Sequence, residues 1–331
     1  MRTIIVLMLG LLAGQVRGQT LVRIGYDDPS ILRIAPGQMV TVFAAGLKTI
    51  ITNGVLRASA IPFPTTLAGI SVTLRQTLPA SSRPIPMYSA EQFNRCVATP
   101  APSSDCLLTA LTVQIPFDLV VPNPLVESVT ATGITTLQIS ENGSVSREFA
   151  VVPVPDQVHV LNSCDVNGTT RETGVCFPLV THADGRLVLQ APRAADQIPL
   201  TASEAKPGET LIMYLFGMGV VAPAINAGDV TPVPPPTIPS PVVLRYEYSI
   251  NASPSLPPGL PGGAMPLAPP PFAGLAPGQV GVYQVNFVVP AVPPGTQPCG
   301  SPVDSNLTVS VAVDQYGVRS FDGAAICIDP R

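Results

Sequence analysis

One stretch of this sequence occurs twice, and that constrains the fold more than any other feature. Pro36-Gly37-Gln38-Met39-Val40-Thr41-Val42-Phe43, running on to Gly46-Leu47, returns as Pro207-Gly208-Glu209-Thr210-Leu211-Ile212-Met213-Tyr214, running on to Gly217-Met218. The spacing is constant at 171 residues, Pro36 to Pro207. A Pro-Gly turn, an apolar strand and a glycine at the strand exit recur in register, as a duplicated structural unit would leave them. Two further stretches keep the same order. Ile70, Val72 and Leu74 alternate with polar neighbours, as do Val242, Leu244, Tyr246, Tyr248 and Ile250 against Val243, Arg245, Glu247 and Ser249. Each reads as a strand with one buried and one wet face. Gln92-Phe93-Asn94 has its counterpart in Gln284-Val285-Asn286.

The same period-2 rule predicts strands over Leu111 to Ile115, Ile134 to Ile139 and Val145 to Val152, then Tyr283 to Val289 and Leu307 to Val313. In the last, Leu307, Val309, Val311 and Val313 point inward, and Thr308, Ser310 and Ala312 outward. Helical periodicity is absent beyond the N-terminus. The expected fold class is all-β: two tandem immunoglobulin-like sandwiches related by internal duplication, over 19–153 and 181–331, with 154–180 as a disulfide-bearing linker. A chain of 331 residues has room for two such domains. With 40 prolines and only 11% charged residues, it suits strands joined by stiff loops. Pro232 to Pro241 reads as extended chain feeding the Val242 strand, and Ser253 to Pro271 as a second Pro- and Gly-rich excursion. A PxxP docking motif is the alternative reading of such runs.

Net charge is −4, and the 17 Lys and Arg are spread thinly, so no basic stripe faces a phosphate backbone and nucleic acid is excluded as a partner. Residues 1–18 place Arg2 ahead of an apolar run from Thr3 to Ala13 and then small residues, which reads as a secretory signal cleaved after Gly18, or alternatively after Gly14. The run is too short to span a bilayer, so no membrane span is expected in the mature form. LLAGQ has the shape of a lipoprotein box with Gln15 where the acylated cysteine belongs. Cys96, Cys106, Cys164, Cys176, Cys299 and Cys327 form an even set, which in an exported chain favours three disulfides. Their spacing suggests sequential pairing, and no two lie as close as structural zinc requires. The expected location is secreted or cell envelope, periplasmic or at the cell surface.

Phe272-Ala273-Gly274-Leu275-Ala276-Pro277-Gly278-Gln279-Val280-Gly281-Val282-Tyr283-Gln284-Val285-Asn286-Phe287-Val288-Val289-Pro290 resembles the duplicated, uncharacterised C-terminal module of exported acidobacterial proteins of the Solibacter type, itself similar to IPT/TIG immunoglobulin-like domains. Ala35 to Leu47, His182-Ala183-Asp184-Gly185 and Lys206 to Thr210 match further landmarks. The sequence departs from the pattern where Arg95 to Ala110 intervenes before Val113-Gln114-Ile115-Pro116-Phe117. The resemblance implies an immunoglobulin-like fold and export, and no activity.

Candidate chemistry is sparse. A Ser or Cys triad needs a base, and the only histidines are His159 and His182. His182 precedes Asp184-Gly185, which reads as a turn, or as a base with its orienting carboxylate. Asp165-Val166-Asn167-Gly168 with Glu172 has the alternate oxygen ligands of a calcium loop without the full pattern. Asp27-Asp28 offers paired carboxylates for acid and base work, but adjacent residues of a strand are expected to face opposite sides, a poor arrangement for a shared substrate. Gly217-Met218-Gly219 lacks the third glycine and helix of a phosphate cradle. Tyr246, Tyr248, Tyr283, Phe287 and Phe43 read as core, and Asn142, Asn167, Asn251 and Asn306 each begin an Asn-X-Ser/Thr triplet. No catalytic, cofactor or metal residues are assigned, and no cofactor is expected. The expected function is a non-catalytic binding or structural module whose partner is a protein or glycan of the cell envelope. The alternative is a secreted hydrolase using His182, Asp184 or the Asp165 loop.

Overall fold

In a computed structural model, the described residues are 32–51, 54–94, 106–122, 133–167, 176–188, 203–254, 269–300, 302–314, 317 and 320–331. The first half contributes β1 (Arg33–Ile34), β2 (Met39–Ala45), β3 (Val55–Arg57), β4 (Thr66–Leu67), β5 (Ile70–Thr77), β6 (Ala80–Pro84), β7 (Met87–Asn94), β8 (Leu107–Gln114), β9 (Thr135–Glu141) and β10 (Ser144–Pro153). The second contributes β11 (His159–Val160), α1 (Ser163–Asn167), β12 (Val180–His182), β13 (Thr210–Phe216), β14 (Val242–Glu247), β15 (Phe272–Leu275), β16 (Tyr283–Val288), β17 (Leu307–Val313) and β18 (Phe321–Ile326).

These strands form two sandwiches. In the first, a sheet ordered β1-β10-β9-β5-β4, with β6 also on β5, faces a sheet ordered β2-β8-β7-β3. In the second, β11-β13-β16-β15, with β12 also on β13, faces β14-β17-β18. Pairing is antiparallel except between β1 and β10. Alternation does the sorting: Ile70, Val72 and Leu74 are buried on β5, and Val242, Leu244 and Tyr246 on β14. One core gathers Val40, Val42, Leu111, Leu137 and Ile139, the other Leu211, Met213, Leu215, Phe287 and Val311.

In both halves the Pro-Gly stretch leads into a seven-residue strand, β2 over 39–45 and β13 over 210–216. Each turn is closed alike. Gly37 N–H donates to Ile115 O at 3.1 Å and Gly208 N–H to Val289 O at 2.8 Å. The side chain of the next residue folds back: Gln38 Oε1 accepts the Ala35 N–H at 2.8 Å, and Glu209 Oε2 accepts that of Lys206 at 2.9 Å. The third sequence correspondence does not hold. Gln284 lies on β16, which pairs directly with β13, whereas Gln92 lies on β7, one strand removed from β2; β16 takes the place of β8.

Two strand readings also change. β14 ends at Glu247, leaving Tyr248 half-buried and Ile250 exposed. The outward residues of β17 are buried as well, and the chain after β14 reaches the first of them, where Thr308 Oγ1 donates to Ala252 O at 2.9 Å. The stretch 154–180, read as a linker, supplies β11 to the second sheet, and Val158, Val160 and Val180 enter the second core. The crossing is short: Val154 N–H still bonds Ile34 O, and Gln157 N–H already bonds Gly217 O.

The sandwiches meet in a close seam. Phe117, just past β8 in the first half, packs into the second core. Tyr283 Oη donates to Gly219 O at 2.5 Å and approaches Pro36 O at 3.2 Å. Gln114, buried at the end of β8, accepts the Gly228 N–H on Oε1 at 2.6 Å, and Gly228 O accepts the Phe63 N–H at 3.0 Å. Buried polar groups on each side are thereby satisfied by the other.

Candidate functional site

The β12 hairpin carries the most organised polar cluster. His182 pairs with Leu211 on β13, and the chain turns back through Ala183-Asp184-Gly185, with Gly185 N–H on His182 O and His182 N–H on Arg186 O. Gly185 takes a φ of +85°, which suits this turn. Asp184 is not the partner of His182. Its carboxylate accepts the Arg186 backbone N–H at 3.1 Å and Nε at 2.7 Å on the exposed side of the turn. Those Arg186 hydrogen bonds hold the Asp184 carboxyl below the usual range.

The buried His182 ring has other partners. Nδ1 lies 2.5 Å from Glu209 Oε1, while Nε2 lies 3.0 Å from Ser203 Oγ and 3.2 Å from Ser203 O. Arg186 Nη1 donates to the same Ser203 Oγ at 3.2 Å. Ser203, His182 and Glu209 thus form a continuous hydrogen-bonded run of hydroxyl, imidazole and carboxylate. Glu209 is fixed by the Pro-Gly turn, where its other oxygen takes the Lys206 N–H, as Gln38 does with Ala35 in the first half. The turn therefore delivers an acceptor in both halves, and only the second has a carboxylate there with a histidine beside it.

His159 forms a second cluster. Its buried ring sits between two carboxylates, with Nε2 2.8 Å from Asp165 Oδ2 and Nδ1 3.1 Å from Asp322 Oδ2. Burial alone would lower its pKa, but the two carboxylates outweigh that and push it up to about 9. Asn162 Oδ1 caps α1 at the N–H groups of Cys164 and Asp165, and Asp165 Oδ2 accepts the Asn162 N–H. Asp165 is therefore turned inward as an ion partner rather than outward as a calcium ligand. Gly168 and Glu172 lie outside the described residues. Among the described residues no group of three or more His, Cys, Asp or Glu is placed to hold a metal ion.

The other candidates resolve into structure. Gly219 packs against the domain crossing, where an added Cβ would lie 2.5 Å from Pro155 O. The Pro232 to Pro241 run docks along β15, with Pro236 O accepting Leu275 N–H and Ile238 N–H donating to Ala273 O. Tyr246 and Phe287 pack in the second core with ring centroids 6.2 Å apart and planes tilted by 47°. Asn306 is buried and spends its amide on Gln297 O and Ile328, so its triplet offers no acceptor for a glycan. Cys164 pairs with Cys176 and Cys299 with Cys327, at Cα separations of 5.3 and 5.9 Å. Asp27, Asp28 and Cys96 lie outside the described residues. The sequence gives no local sign of Ser203 or Glu209 as partners of His182, since they follow it by 21 and 27 positions. No protein-family model matches the chain, and no curated protein matches it.

Proposed function

We propose that the chain is an exported, rigid two-sandwich module that acts as a structural or binding element of the cell envelope, with a protein or glycan as its partner. The observation that carries this reading is the seam. Tandem domains ordinarily reorient about a linker. Here Phe117 is buried in the neighbouring core, Gln114 Oε1 takes the Gly228 N–H across the junction, and the Tyr283 hydroxyl comes within 3.2 Å of Pro36 O. A fixed spacing between two sandwiches is what a spacer or adhesin requires. Export is supported by the apolar leader and by the two disulfides bracing the second sandwich. No helix among the described residues is long and apolar enough to cross a membrane. The recurring Pro-Gly turn supports descent of the halves from one duplicated unit of the acidobacterial type.

Spin labels on cysteines introduced at the exposed Ser82 and Ser249 test the rigid form by pulsed electron resonance. A single narrow distance distribution is expected, broadened by Gln114→Ala. A broad distribution in the parent chain would overturn it. Purified mature protein that retains no envelope component or glycan in a binding screen would remove the binding form. Deleting residues 1–18 should abolish export, and unchanged export would refute the signal.

A second reading, a secreted hydrolase, is favoured by one observation: the hydrogen-bonded run from Ser203 through His182 to Glu209.

A further inference from the structure

We propose that Ser203 is the nucleophile of a site on the second sandwich that hydrolyses short-chain carboxylic esters, with His182 as its general base and Glu209 as the positioning residue. This rests on the second, hydrolytic reading and gives it a substrate class. The connectivity is that of a nucleophile, a base and an orienting carboxylate. With the ring neutral, Nδ1–H donates to Glu209 Oε1 at 2.5 Å and the Nε2 lone pair faces the Ser203 hydroxyl at 3.0 Å. Two details go beyond what a merely satisfied histidine needs. Arg186 Nη1 donates to the same Ser203 Oγ at 3.2 Å, placing a cation where negative charge gathers as the hydroxyl loses its proton. Ser203 O lies 3.2 Å from Nε2, an acceptor for the imidazolium once that proton has arrived.

The step balances without a cofactor. Ser203 Oγ bonds to the ester carbonyl carbon as its proton passes to His182 Nε2. The tetrahedral species collapses by breaking the bond to the alkoxy oxygen, which leaves as the alcohol with the proton from His182. Water then attacks the acyl-serine, giving its proton to His182, and the acid departs as Ser203 recovers its hydrogen. What reaches the hydroxyl from the turn is the exposed Arg186, itself paired with the exposed Asp184, a charged surround. That surround suits an acyl group as small as acetyl on a carrier that stays in solvent.

The test combines labelling of the full-length mature protein by a fluorophosphonate with turnover of p-nitrophenyl acetate and p-nitrophenyl octanoate. Expected are a phosphonyl adduct on Ser203, acetate turnover preferred over octanoate, and loss of both adduct and turnover in Ser203→Ala. His182→Gln should lower kcat at least about 100-fold. Glu209→Gln retains the acceptor for Lys206 N–H, so it should lower kcat with KM and thermal midpoint unchanged. A purely structural Glu209 would instead move the midpoint. No adduct on Ser203, in protein whose melting matches that of Ser203→Ala, would overturn the nucleophile and with it the hydrolytic reading. An adduct without acetate turnover would overturn only the ester assignment.

Discussion

Tyr283 and Pro36 are 247 residues apart in sequence, and the hydroxyl of one approaches the backbone carbonyl of the other at 3.2 Å inside the seam between the sandwiches. The same hydroxyl donates to Gly219 O. Tyr283→Phe would keep the packing and leave buried carbonyls short of a donor, a loss of about 1–3 kcal/mol. Denaturant unfolding followed by circular dichroism checks this, and an unchanged midpoint would show that the hydroxyl contributes nothing to the junction.

The two Pro-Gly turns offer an internal control on that junction. Gly37 and Gly208 have φ of +71° and +78°, so alanine is strained at both by about 1 kcal/mol. A Cβ on Gly208 meets nothing within 4 Å, whereas one on Gly37 would lie 2.2 Å from Phe117 Cε1 and 2.4 Å from Tyr283 Oη. Gly208→Ala should therefore show the strain alone, and Gly37→Ala should cost about 3 kcal/mol or more as the seam is forced open. Equal shifts in the urea midpoint would deny that the first turn is part of the interface.

Local chemistry made much of this architecture readable. β13 and β17 are legible because a Pro-Gly turn and period-2 alternation are written within a few residues. β6 is not, because Ala80-Ser81-Ser82-Arg83-Pro84 is polar and exposed and is a strand only through its pairing with β5. The clusters were hidden for a different reason. Glu209 carries a turn signal that fully accounts for it, and Asp322 follows His159 by 163 positions, so neither partner leaves a spacing to detect. Gln114 occupies what reads as an ordinary alternating position, and only the tertiary fold brings Gly228 to it.

The two disulfides of the second half close loops of different length, with sequence separations of 12 and 28. Chain-entropy reasoning gives about 3 kcal/mol for the shorter and about 3.5 for the longer. Cys327 is also wholly buried at the end of β18, next to Ile326 and Ile328 in the second core. Replacing Cys299 and Cys327 together by alanine should thus lower the unfolding free energy more than replacing Cys164 and Cys176. Peptide mapping without reduction should recover both links, and crossed pairs among these four would contradict the fold.

His159 makes stability depend on pH in a window that can be isolated. Its folded pKa of about 9 lies above the ordinary 6.5, so the fold favours the imidazolium. That contribution is present in full below pH 6.5 and is lost as pH rises through about 9. It amounts to at most about 3 kcal/mol by proton linkage. Tyr246 and Tyr248, pushed up to about 12 by burial, add their own loss only above pH 10. Denaturant titrations at pH 6, 8 and 9.5 should therefore show stability falling across the series, and in His159→Gln that slope should vanish. Because the ring ties Asp165 on α1 to Asp322 on β18, the alkaline loss should begin with amide exchange in 159–167. A parent chain whose stability is flat from pH 6.5 to 9 would mean that the ring is not an imidazolium between those two carboxylates.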